Sequence, residues 1–315
     1  QYLTRLNNGA KIKFSKPSFL KGLNTTRKFY SAEDDIIELK KSKLVSIYEN
    51  AYVTNIRKNK NGIFEIIAEN SRDPILKAKK VVLAAGSINS TKILIDFFKI
   101  YNHRLRLFHN PNLAILGILR RPYKQNNMEL KSQLVFKTNQ KGIPEAAGSL
   151  GFLTGDITEI ICRKYKYIPS LIIKSILYVL RNRIFVSNCF LDNELSNTYI
   201  WFDGSKLFVK GGYSTKYHKQ EKAIKKALKS NLSIFSFFTL FKRLPLGSDI
   251  HYTGTVTKSN HRFLEIDEDY SLIYEKNLFC IDGSVLKGNP IFPGIYIVNN
   301  AISFAERYAA KVLSD

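Results

Sequence analysis

The 315-residue sequence predicts a mixed α/β fold, and three stretches carry that prediction. Val81-Val82-Leu83-Ala84-Ala85-Gly86 is a continuous apolar run that flows through Ser87-Ile88-Asn89-Ser90-Thr91 into a helical segment. Continuous rather than alternating hydrophobicity marks a strand covered on both faces, as in a parallel sheet. Asn277–Ile281 is a second short apolar run, and it breaks at Asp282-Gly283-Ser284, where Asp and Gly suit a sharp turn. From Ile295 to Val312 the apolar residues recur at three and four, with Ala301, Ala305, Ala309 and Ala310 on one side. That is a helix with a small-residue face. Strand, acidic Gly turn and helix in succession is how α/β folds build nucleotide and phosphate sites.

Each remaining element has its own signal. Residues 1–35 are basic and aperiodic, a loop with at most one helix. Leu44–Ile47, Ala51–Arg57 and Gly62–Glu69 are β-prone runs, and the Asn61-Gly62 pair between the last two predicts a hairpin within a meander. Ala84, Ala85 and Gly86 keep the strand exit narrow, so a ligand or another backbone can approach; Ser87 or Ser90 can cap the helix. Glu129–Phe136 and Ser196–Lys210 read as strands, the second pair turning about Asp203-Gly204. Helices are expected near 164–183 and 217–240. Lys219, Lys222, Lys225, Lys226 and Lys229 give the second a solvated face, with an anionic-ligand or membrane-surface role as the lesser reading. Tyr199 and Trp201 read as core, with stacking on a sugar ring as the alternative.

Composition bounds the rest. Forty-four per cent apolar residues with 17 Tyr and 21 Phe exclude wholesale disorder. The formal charge of +23 suits acidic partners, yet the lysines are scattered rather than blocked. Three cysteines without a CxxC pair argue against zinc and against a disulfide framework, and fit a reducing, cytoplasmic setting. No signal peptide opens the chain, and Tyr167–Leu180, the most apolar stretch, is too short and carries Lys174, so no transmembrane segment is expected.

Four strings taken together resemble the glucose–methanol–choline (GMC) oxidoreductases. KKVVLAAGSINSTKIL (Lys79–Leu94) is similar to that family's sheet-to-helix segment. NAYVTNIRKNKNG (Asn50–Gly62) is similar to its strand and hairpin, with Val53 at the position held against the adenine of FAD. His251-Tyr252-Thr253-Gly254-Thr255 matches its H-x-x-G-T, and NLFCIDGSVL (Asn277–Leu286) its N-L-x-V-x-D-x-S-V, followed by a closing A-E-R helix at Ser303–Ala310. The resemblance implies part of an FAD-binding Rossmann-like domain in 1–99 and 246–315. It also implies a substrate domain in 100–245, with a β-sheet backed by helices that would form a wall over the flavin ring. No G-x-G-x-x-G occurs anywhere in the sequence. The expectation is therefore a fragment lacking the N-terminal dinucleotide unit; a partner that supplies it, or the absence of flavin, are the alternatives.

The resemblance also implies chemistry: oxidation of an alcohol or sugar hydroxyl by hydride transfer to flavin N5. His251 matches the catalytic base. The second polar group falls on Asn289, which Pro290 follows; alignment on Pro293 would put Phe292 there, alignment from Glu306-Arg307 would put Tyr296, and Asn299 or Asn300 could substitute. Ala85, Gly86, Asp282 and Gly283 are the expected cofactor contacts, with Asp282 accepting ribityl hydroxyls or, alternatively, acting as a turn or cap residue. His103, His109, His218 and His261 read as surface residues. The competing function is a catalytically inactive remnant that binds an anionic partner through its basic surface. Non-specific nucleic-acid binding ranks third, without a recognised motif. Substrate, electron acceptor and oligomeric state stay open.

Overall fold

The computed structural model describes residues 12–15, 32–42, 45–71, 73–122, 134–138, 144–152, 155–180, 183–248, 251–286 and 299–308. In chain order the strands are β1 (Ile12–Ser15), β2 (Tyr52–Lys58), β3 (Phe64–Glu69), β4 (Ile75–Ala78), β5 (Val81–Leu83), β6 (Leu105–Leu107), β7 (Asn112–Leu119) and β8 (Leu134–Thr138). They continue with β9 (Ala146–Phe152), β10 (Ile184–Leu191), β11 (Thr198–Phe202), β12 (Leu207–Lys210), β13 (Ser236–Arg243), β14 (Ser271–Leu272) and β15 (Glu275–Cys280). The helices are α1 (Ala32–Lys41), α2 (Ser87–Phe98), α3 (Gly155–Lys164), α4 (Ser170–Leu180) and α5 (Tyr217–Leu232), and residues 299–308 form α6. The fold class is mixed α/β.

The chain divides into two compact units. The first comprises Gln1–Gly22, His109–Asn197 and Gly212–Ile250. It holds an antiparallel six-stranded sheet in the order β1-β8-β9-β10-β7-β13. Strand alternation puts Leu113, Ile115, Phe185, Cys189 and Leu191 on one face, and α5 covers them with Tyr217, Ile224, Leu228 and Leu232. Two glycines let the strands lie close. A Cβ on Gly117 would meet the Phe185 ring at 2.1 Å, and one on Gly148 would meet the Asn188 carbonyl at 2.0 Å. Glu221 is buried on α5 beside Lys225, at 2.7 Å, and Arg243. Burial pushes its carboxyl up, but hydrogen bonds from Arg243 and Lys225 outweigh that and hold it below the usual range.

The second unit comprises Leu23–Phe108, Thr198–Gly211 and His251–Asp315. It contains three small sheets: the meander β2-β3-β4, the antiparallel set β12-β11-β6, and β14-β15-β5, in which β15 and β5 run parallel. Ile93, Leu94 and Ile95 of α2 meet Leu83, Leu105, Leu107, Ile200, Phe202, Leu278 and Cys280 in one core.

Several elements differ from the sequence expectation. Residues 45–48 are extended coil, not a strand. The expected helix at 164–183 breaks at Tyr165–Pro169 into α3 and α4, because Pro169 cannot continue a preceding helix. The helix expected to reach 240 stops at Leu232, and SFFTLFKR becomes β13 through pairing with β7. Strands β11 and β12, expected with the substrate sheet, lie in the second unit, since β11 pairs β6 and buries Ile200 and Phe202. Trp201 is half-buried, stacked on Phe208 at 5.2 Å. His109 is buried, not a surface residue, and burial holds its pKa below the ordinary value although a backbone hydrogen bond at Asn110 opposes. His103 is exposed and lies 4.9 Å from the His261 ring.

Gly148→Ala is expected to destabilise the protein by roughly 1–3 kcal/mol, because backbone rather than a flexible side chain blocks the new methyl. Urea unfolding measures it; an unchanged midpoint would refute the close approach of β9 and β10.

Candidate functional site

Three of the four strings that carry the resemblance, Lys79–Leu94, His251–Thr255 and Asn277–Leu286, converge in the second unit. β5 and β15 are parallel, so their C-terminal ends lie at the same edge, and the Ile281 N–H donates to the Leu83 carbonyl at 3.1 Å. Beyond β5 the chain passes through exposed Ala84, Ala85 and Gly86 into α2; beyond β15 it enters a 3-10 turn over Gly283–Val285. Helix α2 opens with polar buried residues, Ser87, Ser90 and Thr91, before its apolar ones. Those three hydroxyls bind the strings together.

Asp282 is the hub. It is 5% exposed, and both carboxylate oxygens are engaged. Oδ2 accepts from Ser90 Oγ at 2.5 Å, and Oδ1 accepts from Ser284 Oγ at 2.6 Å and from the Ser284 N–H at 2.9 Å. Of the two readings the sequence left open, capping of the turn is what these contacts describe. Cys280 Sγ lies 3.1 Å from Ser284 Oγ, and burial, with the Asp282 charge second, pushes its thiol strongly up. Cys189, in the other unit, is likewise pushed up to about 12 by burial.

The His251–Thr255 segment is fastened from two sides. Ser87 Oγ donates to the Tyr252 carbonyl, and the Thr91 hydroxyl donates to the Ser87 carbonyl and shares a 2.6 Å hydrogen bond with Thr255 Oγ1. The Gly254 N–H donates to the Gly283 carbonyl at 3.1 Å and the Val256 N–H to the Ser284 carbonyl at 2.8 Å. Asn260, which no motif flagged, completes the fastening. Its Nδ2 lies within 3.0 Å of the carbonyls of Arg106, Gly254 and Thr255, and its Oδ1 accepts from the Arg106 N–H at 2.8 Å.

The glycines divide their work differently from the expectation. Gly254 has φ +76°, and a Cβ there would meet Phe108 Cδ2 at 2.4 Å. Gly283 is buried in the turn and is not among the left-handed residues. Ser87 and Ser90 do not cap α2: Gly86 is the N-cap, with φ +82° and no atom within 4 Å of the place a Cβ would take. The strand end is thus open and built from small residues.

The remaining candidates are placed as follows. His251 is half-buried, with Nδ1 buried, and burial lowers its pKa, which favours the neutral imidazole. Val53 is half-buried on β2 and packs on the core of this unit. Asn289, Phe292 and Tyr296 lie outside the described residues. Asn299 is exposed, and Asn300 accepts from Tyr270 Oη at 3.3 Å. A pocket of about 380 Å³ between β15 and α6 contains none of these residues. Of its three cations, Lys276 and Arg307 face Asp267 at 2.8 Å and Asp269 at 3.9 Å, and Lys80 lies over the Tyr308 ring. Among the described residues no cluster of His, Cys, Asp or Glu could hold a metal ion.

Asp282→Ala would leave the Ser90 and Ser284 hydroxyls and one N–H without their buried acceptor. A loss of about 3 kcal/mol in urea unfolding is expected; a variant as stable as the parent would remove Asp282 from the centre of the site.

No protein-family model matches the sequence, and no curated protein does. Among solved structures, pyridoxine 4-oxidase from Mesorbium loti is similar over 98% of this chain and 69% of its own, with a TM-score of 0.65 at 14% identity. Formate oxidase from Aspergillus oryzae aligns over 84% of this chain and 60% of its own, with a TM-score of 0.49 at 10% identity. The likeness is one of fold: the chain has a mixed α/β architecture similar to that of GMC oxidoreductase structures.

Proposed function

We propose that this chain carries the flavin-site and substrate parts of an FAD-dependent oxidoreductase of GMC type, acting on the CH–OH group of an alcohol or sugar. One observation supports this above the others. Segments 84–91, 251–256 and 280–286 close on one another through buried hydroxyls, and leave an open small-residue strand end next to the His251 segment. The opening at Gly86 fits a flat cofactor passing over the end of β5, because nothing occupies the space a side chain would fill.

FAD, when bound, supplies a two-electron acceptor. Ala85 and Gly86 would let it approach the backbone, and Val53 would flank its adenine end. Asp282 and Gly283 would act by setting the turn beneath it, since the carboxylate already accepts three hydrogen bonds. His251 would take the hydroxyl proton at Nε2, as Nδ1 is buried. Burial suits it to this task by keeping the imidazole unprotonated at neutral pH. Asn289 would orient the substrate hydroxyl. The substrate would be a small molecule.

The visible spectrum of the protein expressed from its complete reading frame, beside that of this chain alone, tests the cofactor: a flavin absorption is expected in at least the former, and its absence from both after supplying FAD would sink the reading. His251→Gln should keep the flavin and lower turnover by roughly 10²–10⁴-fold. Because burial depresses the pKa, the parent should lose activity only as pH falls below about 6.5. The variant should lack that acid limb; an unchanged limb would reassign the base.

A further inference from the structure

Helix α4, which follows α3 across a short turn in the first unit, does the reverse of what a helix in water should do. A surface helix buries its apolar stripe and shows a polar face. In α4 only Ile173 is buried, while Leu171 is 75% and Val179 76% exposed, with Ile172 and Ile176 exposed between them. Residues 172, 176 and 179 are spaced at four and three, so they form one stripe. The turn before α4 adds Tyr167, 89% exposed, and Ile168.

The charge around this patch is mainly positive. From Gly155 to Arg183 the sequence holds six cationic residues and two carboxylates, Asp156 and Glu159, and Glu159 lies 3.8 Å from Arg163. Arg163, Lys164 and Lys166 gather at one end, Lys174 sits on α4, and Arg183 follows it. Lys164 and Lys166 lie over the rings of Tyr165 and Tyr167 at 5.6 and 5.5 Å, which places cation and aromatic together at the patch rim.

We propose that the α3–α4 hairpin is a membrane-surface anchor that lies in the interface of an anionic lipid bilayer. Aliphatic side chains in the middle, tyrosines at the ends and a cationic rim match the acyl, interfacial and headgroup levels of one leaflet. Eleven residues span about 17 Å at 1.5 Å each, too short for a hydrocarbon core of about 30 Å, so α4 lies along the surface rather than crossing it. No described helix is long and apolar enough to cross a membrane. A second copy of the chain is the less suitable occupant, because it would bring the same cationic rim against itself. The inference is independent of the flavin reading.

Co-sedimentation with vesicles tests it. The protein should bind phosphatidylcholine vesicles that contain phosphatidylglycerol, and the binding should weaken as salt is raised. The triple variant Leu171→Ser, Ile176→Ser, Val179→Ser should bind roughly ten-fold less or worse, because the apolar area that enters the leaflet is lost. Undiminished binding by that variant would assign the effect to the general basic surface and overturn the proposal. So would no binding by the parent at low salt, or a dimer that the variant disperses in light scattering. Circular dichroism checks the fold. Should the serine variant misfold, Lys164→Glu with Lys166→Glu carries the test: retained binding to the anionic vesicles would again overturn it.

Discussion

The buried carboxylate of Asp282 is the constraint on which the second unit depends. A carboxylate withdrawn from water is costly unless its oxygens are hydrogen-bonded, and here two serines meet that demand. One serine is in its own turn, and the other is on α2, 192 residues earlier. Satisfying the charge therefore fixes where α2 begins relative to the end of β15. Because β5 and β15 are parallel, the same contact fixes the open strand end at Ala84–Gly86. The turn and the start of α2, and with them the strand end of the proposed flavin contact, follow from one electrostatic requirement.

The His251–Thr255 segment shows how a loop can be held as firmly as a strand. Thr253, Thr255 and Val256 are buried, and buried backbone must find partners. It finds them in the Gly283 and Ser284 carbonyls, in the Phe108 backbone and in Asn260. Rigid support of this kind is what the proposed base, His251, would need, since its reach to a substrate proton would be a matter of tenths of an ångström. The first unit is built differently, from an antiparallel sheet under one helix, and its buried charge, Glu221, is compensated within that unit by Lys225 and Arg243.

The large positive charge has two distinct expressions. On α5, Lys219, Lys222, Lys226 and Lys229 are exposed and form a solvated face opposite the buried stripe, an arrangement that asks for no partner. Around α4 the cations surround exposed aliphatic residues instead, and water does not favour that combination. Helix α5 carries five lysines of its own, whereas α4 has one and draws its other cations from the flanking residues; the burial pattern separates the two further.

What the sequence by itself determined was the set of local signals: the apolar run at Val81, the Asn61-Gly62 hairpin, the Asp203-Gly204 turn, and the three strings that meet in the second unit. These are legible because turn residues and hydrophobic period act over a few neighbours. Only tertiary structure decided the rest. SFFTLFKR has no period that separates strand from helix, and pairing with β7 settled it. Ser87 and Ser90 look like caps locally, yet become cross-links because distant carbonyl and carboxylate acceptors face them. The positive-φ glycines of the site are Gly86 and Gly254 rather than Gly283, and at Gly254 Phe108 packs where a side chain would stand. Asn260 carried no signal, because its value lies in carbonyls brought to it from β6 and from the Gly254 loop, and no run of residues announces a partner 154 positions away.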